Sequence, residues 1–151
     1  MIDMAARELL TTAQRPASLL RGSIGNAARV NPSSVIAVAV DCQDAERLAE
    51  FWCAALGTEV DRRWRDAHGV GYVQIGTGGG PVLLFQPVPG GKTGKNRLHL
   101  DIAPHTGSQD EEVERLVQLG ASRVAEEQEH SGIVLADPEG NEFCVLPPRA
   151  D

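Results

Sequence analysis

An internal repeat constrains the fold of this chain more than any single residue does. One segment extends from Val35 to Pro87 and a second from Arg97 to Pro147, and both show the same order of apolar and amphipathic runs. A strand-like run comes first, a helix-like segment follows, and shorter apolar runs complete each copy. A unit of this size leaves one face of its sheet uncovered, so two copies must share a core or a cleft. The repeat therefore predicts two similar halves, with function in the cleft that they share.

Helical periodicity and capping residues predict one helix in each half. The first amphipathic segment runs from Asp44, which can cap the helix, to Gly57, which can end it. The second begins with Ser108 and Glu111, which have the spacing of a capping box, and ends at Gly120. Turn residues separate the apolar runs after each helix, so these runs are predicted to form meanders of short strands.

Strand alternation predicts which side chains face away from the helices and line the cleft. In the segment 97–103, Leu98, Leu100 and Ile102 share one face, which the helix is expected to cover. The predicted cleft-lining side chains are those of Ala37, Ala39, Asp41, Val82, Leu84, Gln86, Arg97, His99, Asp101, Ala103, Glu142, Cys144 and Leu146.

Three motifs in order resemble the vicinal oxygen chelate superfamily, which includes glyoxalases, bleomycin resistance proteins and extradiol dioxygenases. They are the segment 44–57 with its Phe-Trp pair and Leu-Gly end, the segment 96–101 and the segment 137–144. The resemblance is closest to the glyoxalase-like branch. It implies an α+β fold in which two βαβββ modules, residues 34–88 and 97–148, form a half-open mixed β-barrel with the helices outside. It also implies a homodimer.

Residues 1–33 lie outside the resemblance and differ from the rest in composition, with several arginines and few acidic residues. We expect this N-terminal arm to be helical or disordered. Residues 34–148 are expected to form a single domain made of the two modules.

The metal site implied by the resemblance is incomplete in this sequence. It places the metal-ligand positions of the superfamily at Ala37, Leu84, His99 and Cys144. His99 is the only usual ligand among them, because alanine and leucine side chains carry no donor atom. A shift of the alignment would add Gln86 or Glu142 and allow a nonstandard site. No cofactor is therefore expected, although a divalent metal held partly by His99 stays open.

The predicted cleft contains three candidate catalytic residues, His99, Asp101 and Glu142. His99 can act as an acid or base near neutral pH, and Asp101 can hold it in place from two residues along the same strand face. Each has a structural alternative, because His99 can be a packed histidine and Asp101 can pair with a loop donor. The candidate ligand-binding residues are Trp64, Tyr72, Gln86, Arg97 and Cys144. Trp64 and Tyr72 can equally be ordinary packing residues, and Cys144 a small apolar filler.

Two classes of function agree with these residues. In the first, the protein is an enzyme of lyase or isomerase type that acts on a small oxygenated substrate, with His99 as the base and Asp101 or Glu142 assisting. In the second, it binds and sequesters a small molecule without chemistry, as the resemblance to drug-binding members of the superfamily implies. The sequence leaves this choice open and does not name the ligand.

Composition disfavours several partners. The net charge of −7 and an aromatic content of 4% disfavour nucleic acid. No apolar run approaches the roughly 18 residues that a membrane helix needs, so no membrane span is expected. Cys42, Cys53 and Cys144 are odd in number and far apart, which disfavours a disulfide framework and favours a reducing compartment. We therefore expect a cytoplasmic protein.

Overall fold

A computed structural model describes residues 33–124 and 131–149. The predicted N-terminal arm therefore lies outside the described residues except for its last position. The first half of the described chain contains β1 (Ala37–Cys42), α1 (Ala45–Leu56), β2 (Val60–Arg65), β3 (Gly71–Ile75) and β4 (Val82–Pro87). The second half contains β5 (Asp101–Ile102), α2 (Gln109–Leu119), β6 (Ser122–Arg123), β7 (Ile133–Ala136) and β8 (Glu142–Val145).

The strands form two four-stranded sheets of the same topology. The order is β1-β4-β3-β2 in the first sheet and β5-β8-β7-β6 in the second. In both, the first and last strands of the module pair in parallel and the remaining neighbours are antiparallel. Each half is thus a βαβββ module, and neither sheet is closed. The predicted fold of two such modules is confirmed.

The two helices have the predicted ends. Asp44 accepts a hydrogen bond from the backbone N–H of Arg47 at 3.1 Å, and Gly57 ends α1 with a φ of 63° that glycine adopts without strain. In α2, Ser108 and Glu111 form the full capping box, and Gly120 ends the helix in the left-handed conformation. No helix in the described part of the chain is long and apolar enough to cross a membrane.

The hydrophobic core lies between the helices and one face of each sheet. Phe85 and Val73 supply the helix-facing surface of the first sheet, and Val145 and Leu135 that of the second. The two modules meet in an aromatic cluster, because the ring of Phe143 in β8 lies 5.0 Å from that of Trp52 and 6.2 Å from that of Phe51, both in α1. Trp52 is 2% exposed, which confirms it as a core residue. In each sheet, the face turned away from the helices is called the open face below.

The turn between β7 and β8, residues 137–141, also holds the two modules together. Its Asp137 is 3% exposed and accepts a hydrogen bond from Trp52 Nε1 at 3.2 Å. Its Glu139 accepts from the backbone N–H groups of Gln43 and Asp44, both at 2.7 Å, immediately before α1. The carboxylate of Glu139 thus satisfies donors at a helix N terminus, where negative charge is stabilised. The segment was predicted as a turn, and it is also an intermodule contact.

The strand predicted over residues 97–103 is much shorter in the structure. Only Asp101 and Ile102 form β5, and the backbone pairing with β8 begins where Cys144 N donates to Leu100 O at 2.8 Å. Residues 97–99 precede this pairing and therefore do not follow the strand alternation. The prediction that Leu98 packs under the helix is wrong, because Leu98 is 83% exposed. Leu100 and Ile102 do pack against the core, as predicted.

Candidate functional site

The pairing register identifies which open-face positions of the two sheets correspond. Ala39 in β1 lies opposite Leu84 in β4, and Asp101 in β5 lies opposite Cys144 in β8. Leu84 and Cys144 also occupy the same place relative to β3 and β7, since they pair with Gln74 and Val134. Two residues before Ala39 and Asp101 stand Ala37 and His99. By register, the first module therefore has Ala39 and Leu84 where the second has Asp101 and Cys144, and His99 precedes the paired part of β5.

On the second sheet, His99 and Asp101 form a pair. His99 Nε2 lies 3.1 Å from Asp101 Oδ1, and the two side chains are 58% and 50% exposed. A carboxylate in this place can orient the imidazole ring and stabilise its protonated form, while the exposed side of the ring stays accessible to a ligand. The predicted proximity of these two side chains is thus present in the structure.

Cys144 lies next to this pair, on the strand opposite Asp101. Burial, and to a smaller extent the charge of Asp101, raises the pKa of the Cys144 thiol, so the thiol stays protonated and weakly nucleophilic. Its sulfur occupies the space beside Gly132, where a Cβ atom would collide with Cys144 Sγ. Residue 132 must be glycine, because the Cys144 sulfur occupies the space that a side chain at residue 132 would need.

Glu142 lies on the same open face as Cys144, but its neighbours are different. Its Oε1 lies 2.9 Å from Lys92 Nζ, and its Oε2 accepts from the backbone N–H of Asn96 at 3.1 Å. The hydrogen bond from Lys92 lowers the pKa of Glu142 to about 2, and the Asn96 amide acts in the same direction. A carboxylate of such low basicity, with both oxygens engaged, is a poor proton acceptor at neutral pH.

On the first sheet, the open face carries a stack of rings. The ring centroids of Trp64 and Tyr72 are 5.4 Å apart with an interplanar angle of 11°, and Arg62 Cζ lies 5.1 Å from the Trp64 ring centroid. Tyr72 Oη also donates to Asp66 Oδ2 at 3.3 Å. Burial and then the nearby Asp66 raise the pKa of the Tyr72 hydroxyl, which therefore remains neutral.

Trp64 and Tyr72 also line a groove of about 590 Å³ at the end of the first sheet, beside the start of α1. Gln43, Arg63 and Arg65 contribute polar walls. The second-sheet residues His99 and Asp101 do not line this groove, so the chemistry-bearing pair and the aromatic groove lie in different parts of the described chain.

The predicted site residues therefore fall into two groups. His99, Asp101, Glu142 and Cys144 come together on the second sheet, and Arg97 precedes them in the irregular segment before β5. Trp64, Tyr72 and Gln86 belong to the first sheet. Sequence reasoning missed Lys92 and Asn96, which hold Glu142. No periodic pattern marks these linker residues, so the sequence gives no signal for the contact.

The chain matches the family model of the glyoxalase-like domain over residues 37–146. It belongs to this family. The match confirms the predicted membership in the vicinal oxygen chelate superfamily and its glyoxalase-like branch. No curated protein matches the chain.

Solved structures show the same fold at low sequence identity. A glyoxalase/bleomycin resistance protein/dioxygenase family enzyme from Burkholderia phytofirmans is 17% identical, with a TM-score of 0.57 over 75% of this chain and 97% of the other. The fosfomycin resistance protein FosX from Listeria monocytogenes, solved with manganese(II) and 1S,2S-dihydroxypropylphosphonic acid, is 14% identical, with a TM-score of 0.63 over 76% and 92%. Glyoxalase I from Leishmania major is 17% identical, with a TM-score of 0.56 over 76% and 86%.

The residues of this glyoxalase-like protein do not fit the metal centre that the superfamily implies. Ala37 and Leu84 offer no donor atom, which leaves His99 and Cys144 as the two usual ligand types at these four positions, and His99 Nε2 lies 3.1 Å from Asp101 Oδ1. Within residues 33–124 and 131–149, no group of three or more His, Cys, Asp or Glu side chains is arranged to hold a metal ion.

Proposed function

We propose that this glyoxalase-like protein binds a small oxygenated molecule on the open face of its second sheet, and that His99 exchanges a proton with it. The observation that carries the proposal is the 3.1 Å contact between His99 Nε2 and Asp101 Oδ1 on an accessible surface. A histidine beside a carboxylate is a common proton-transfer unit. Arg97 and Cys144 flank this pair and are proposed to contact the ligand.

The reaction class that fits a single proton-transfer pair is elimination or isomerisation next to an oxygen-bearing carbon, as in lyases and isomerases. In an isomerisation, His99 would take a proton from one carbon and return it to another atom of the substrate; in an elimination, the C–H electron pair would form the new C=C bond, the C–O bond would break, and His99 would return the proton to the departing oxygen. In both, Asp101 would stabilise the imidazolium formed in between. Both steps use only His99 and Asp101, so the proposal does not depend on a metal.

The test uses a panel of small hydroxy-carbonyl compounds as substrate candidates, with fosfomycin and 1S,2S-dihydroxypropylphosphonic acid, both suggested by a relative, as binding probes. Turnover is followed by proton NMR for the wild type, His99→Ala, Asp101→Asn and His68→Ala. We expect His99→Ala to lower turnover by about 10²–10⁴-fold. The matched control His68→Ala removes an exposed loop histidine in the first module and should leave turnover unchanged. Equal activity in all four proteins would reject the role of His99.

A second candidate function, sequestration without chemistry, is favoured by the aromatic groove of the first sheet. Trp64 and Tyr72 stack on each other and line this groove, so a flat apolar ligand could pack against the half-buried Trp64 ring there; Gln86 lies on the open face of the first sheet, outside the groove. Binding in the groove with no consumption of ligand, lost in Trp64→Ala and retained in His99→Ala, would support sequestration over catalysis.

We further propose that the protein is a homodimer in which a second copy contacts the edges of the sheets at β1 and β5. Among the described residues, β1 and β5 are edge strands with one paired neighbour each. Exposed apolar side chains precede both strands: Val35 is 73% exposed, Ile36 45% and Leu98 83%. Such edges with apolar residues favour association. Light scattering should give twice the mass of one chain, and the double variant Ile36→Glu/Leu98→Glu should give a monomer.

A reducing, cytoplasmic location is proposed on the state of the cysteines. Cys42, Cys53 and Cys144 are free thiols. Burial, followed by the nearby Glu139, raises the pKa of Cys42 to about 12, so this thiol resists oxidation. Localisation of a tagged protein in cells, with thiol counting after rapid alkylation, tests this. Recovery in an oxidising compartment with fewer than three free thiols would contradict it.

A further inference from the structure

The segment between the two modules is fastened to the second sheet at one acidic residue. Glu142 stands at the start of β8 and uses both carboxylate oxygens, Oε1 for Lys92 Nζ and Oε2 for the Asn96 amide. The side chains of Lys92 and Glu142 are only 21% and 18% exposed. The pair is thus partly removed from water, where an ion pair is less screened than at the surface and its geometry is better defined.

The stem of Lys92 lies close to the turn between β7 and β8 as well. A Cβ atom built on Gly140 would meet Lys92 Cδ at 3.9 Å, an ordinary packing distance. Residue 140 belongs to the same turn that holds the two modules together. The linker therefore contacts the second module through its charged group, its aliphatic stem and one backbone amide.

These contacts determine where the chain enters the candidate site. Asn96 is fixed by Glu142, and Leu100 is fixed by the hydrogen bond from Cys144 N at 2.8 Å. Only three residues, 97–99, lie between the two fixed points, and His99 is the last of them. With both ends of so short a segment attached to β8, the backbone positions available to His99 are few. The direction of its ring toward Asp101 depends on both attachments.

We infer that Glu142 is a positioning residue, which holds the segment before β5 so that His99 meets Asp101, rather than a group that exchanges protons with the substrate. This inference rests on the proposed function of the His99–Asp101 pair. It assigns Glu142 a role different from the catalytic one predicted from the sequence. Lys92 and Asn96 are not catalytic residues, but both contact Glu142 and therefore become part of the site.

The experiment compares Glu142→Ala, which removes both contacts, with Lys92→Met, which removes the ion pair and leaves the Asn96 contact. Hydrogen exchange of the Asn96 amide and the side-chain nitrogen resonances of His99 are measured by NMR at one fixed pH. We expect exchange at Asn96 to increase by roughly tenfold or more in Glu142→Ala, the effect of losing a hydrogen bond to a charged acceptor. The His99 resonances should move toward those of a histidine without a partner. Lys92→Met should change both measurements less.

Glu112→Gln is the matched control, because Glu112 also pairs with a basic side chain, Arg115, but lies on α2. It should leave both measurements unchanged. If Glu142→Ala does not fold, Glu142→Gln replaces it. The amide oxygen can still accept from Asn96 but loses the ionic contact, so Glu142→Gln should resemble Lys92→Met.

Two results would overturn the inference: an unchanged Asn96 amide in Glu142→Ala, or a faster-exchanging Asn96 with unchanged His99 resonances. The variant Asp101→Asn separates this failure from failure of the proposed function. If Asp101→Asn leaves the His99 resonances unchanged, the pair does not form in solution and the proposed function fails. If Asp101→Asn shifts them while Glu142→Ala does not, the pair stands and only the positioning role of Glu142 is wrong.

Discussion

The open faces of the two sheets differ far more than their helix-facing sides. On the helix-facing sides, Phe85 in the first sheet and Val145 in the second are both fully buried core residues. On the open faces, Leu84 corresponds by register to Cys144, and Ala39 to Asp101. Helix-facing positions must fill a shared core, so only apolar residues are tolerated there. The open faces are less alike: Leu84 is 2% exposed, whereas the side chain of Asp101 is 50% exposed, and the polar side chains lie on the second open face.

A second difference between the two open faces concerns the residue at one equivalent place, in β3 of the first module and just before β7 of the second. Tyr72 pairs in register just before Val73, and Gly132 just before Ile133, so these two residues occupy equivalent places. In the first module a tyrosine ring stacks on Trp64. In the second, glycine leaves space that Cys144 occupies. The first open face thus carries stacked aromatic rings, and the second carries smaller side chains at the equivalent places.

The largest expected effect tests whether the two modules, despite these differences, unfold as one unit. Asp137→Ala leaves Trp52 Nε1 and the backbone N–H groups of Glu139 and Asn141 without their acceptor in a buried site. We expect a loss of about 3–5 kcal/mol of unfolding free energy, measured by urea denaturation, with a single transition retained.

Asp41→Ala is the control, because Asp41 is an exposed aspartate of β1. It should change the free energy of unfolding by less than about 0.5 kcal/mol. Two separate transitions in Asp137→Ala would show that the modules are stable individually and that the turn only docks them.

The next effect concerns the space beside Gly132 that the sulfur of Cys144 occupies. Gly132→Ala places a methyl group against Cys144 Sγ and close to Leu146, so it should cost about 1–3 kcal/mol through overpacking. Adding Cys144→Ala should recover part of the loss, since it removes the colliding atom. Gly94→Ala serves as the control, because no atom lies near its Cβ position. Additive losses in the double variant would indicate that the backbone, and not the cysteine side chain, limits the space beside residue 132.

A smaller effect is expected at acidic pH, where protonation of Glu142 in the second module should lower the free energy of unfolding. Its folded-state pKa of about 2 lies below the ordinary value of 4.5, so its contribution to stability is fully present above about pH 4.5. That contribution is lost as the pH falls from 4.5 through 2. Glu142→Gln should therefore show a flatter decrease of unfolding free energy over this range. The exposed Glu50→Gln should keep the wild-type slope, and identical slopes in all three proteins would contradict the prediction.

The sequence predicted the fold well because the fold depends on local patterns. The caps at Asp44 and Ser108 and the alternation along β4 and β8 each involve residues close in the chain, so one sequence suffices to read them. The predicted proximity of His99 and Asp101 is present as a 3.1 Å contact, although His99 precedes β5 and does not follow its alternation. What failed depends on distant partners. The start of β5 is set by its hydrogen bonds to β8, and the surroundings of Glu142 are set by a linker whose path no periodicity encodes.

The smallest effect tests the part of the sequence prediction that was wrong. Because the chain before β5 is irregular, Leu98→Ala removes a side chain that is already 83% exposed, and it should change the free energy of unfolding of the monomer, measured at low protein concentration, by less than about 0.5 kcal/mol. Leu100→Ala, two residues later, removes a side chain packed against the core and should cost about 1–2 kcal/mol. Measuring both variants at two protein concentrations separates folding from association. A loss in Leu98→Ala that grows with protein concentration would place Leu98 in the proposed dimer contact. A concentration-independent loss equal to that of Leu100→Ala would mean that the strand begins at residue 97 in solution, and that Leu98 packs beneath the helix after all.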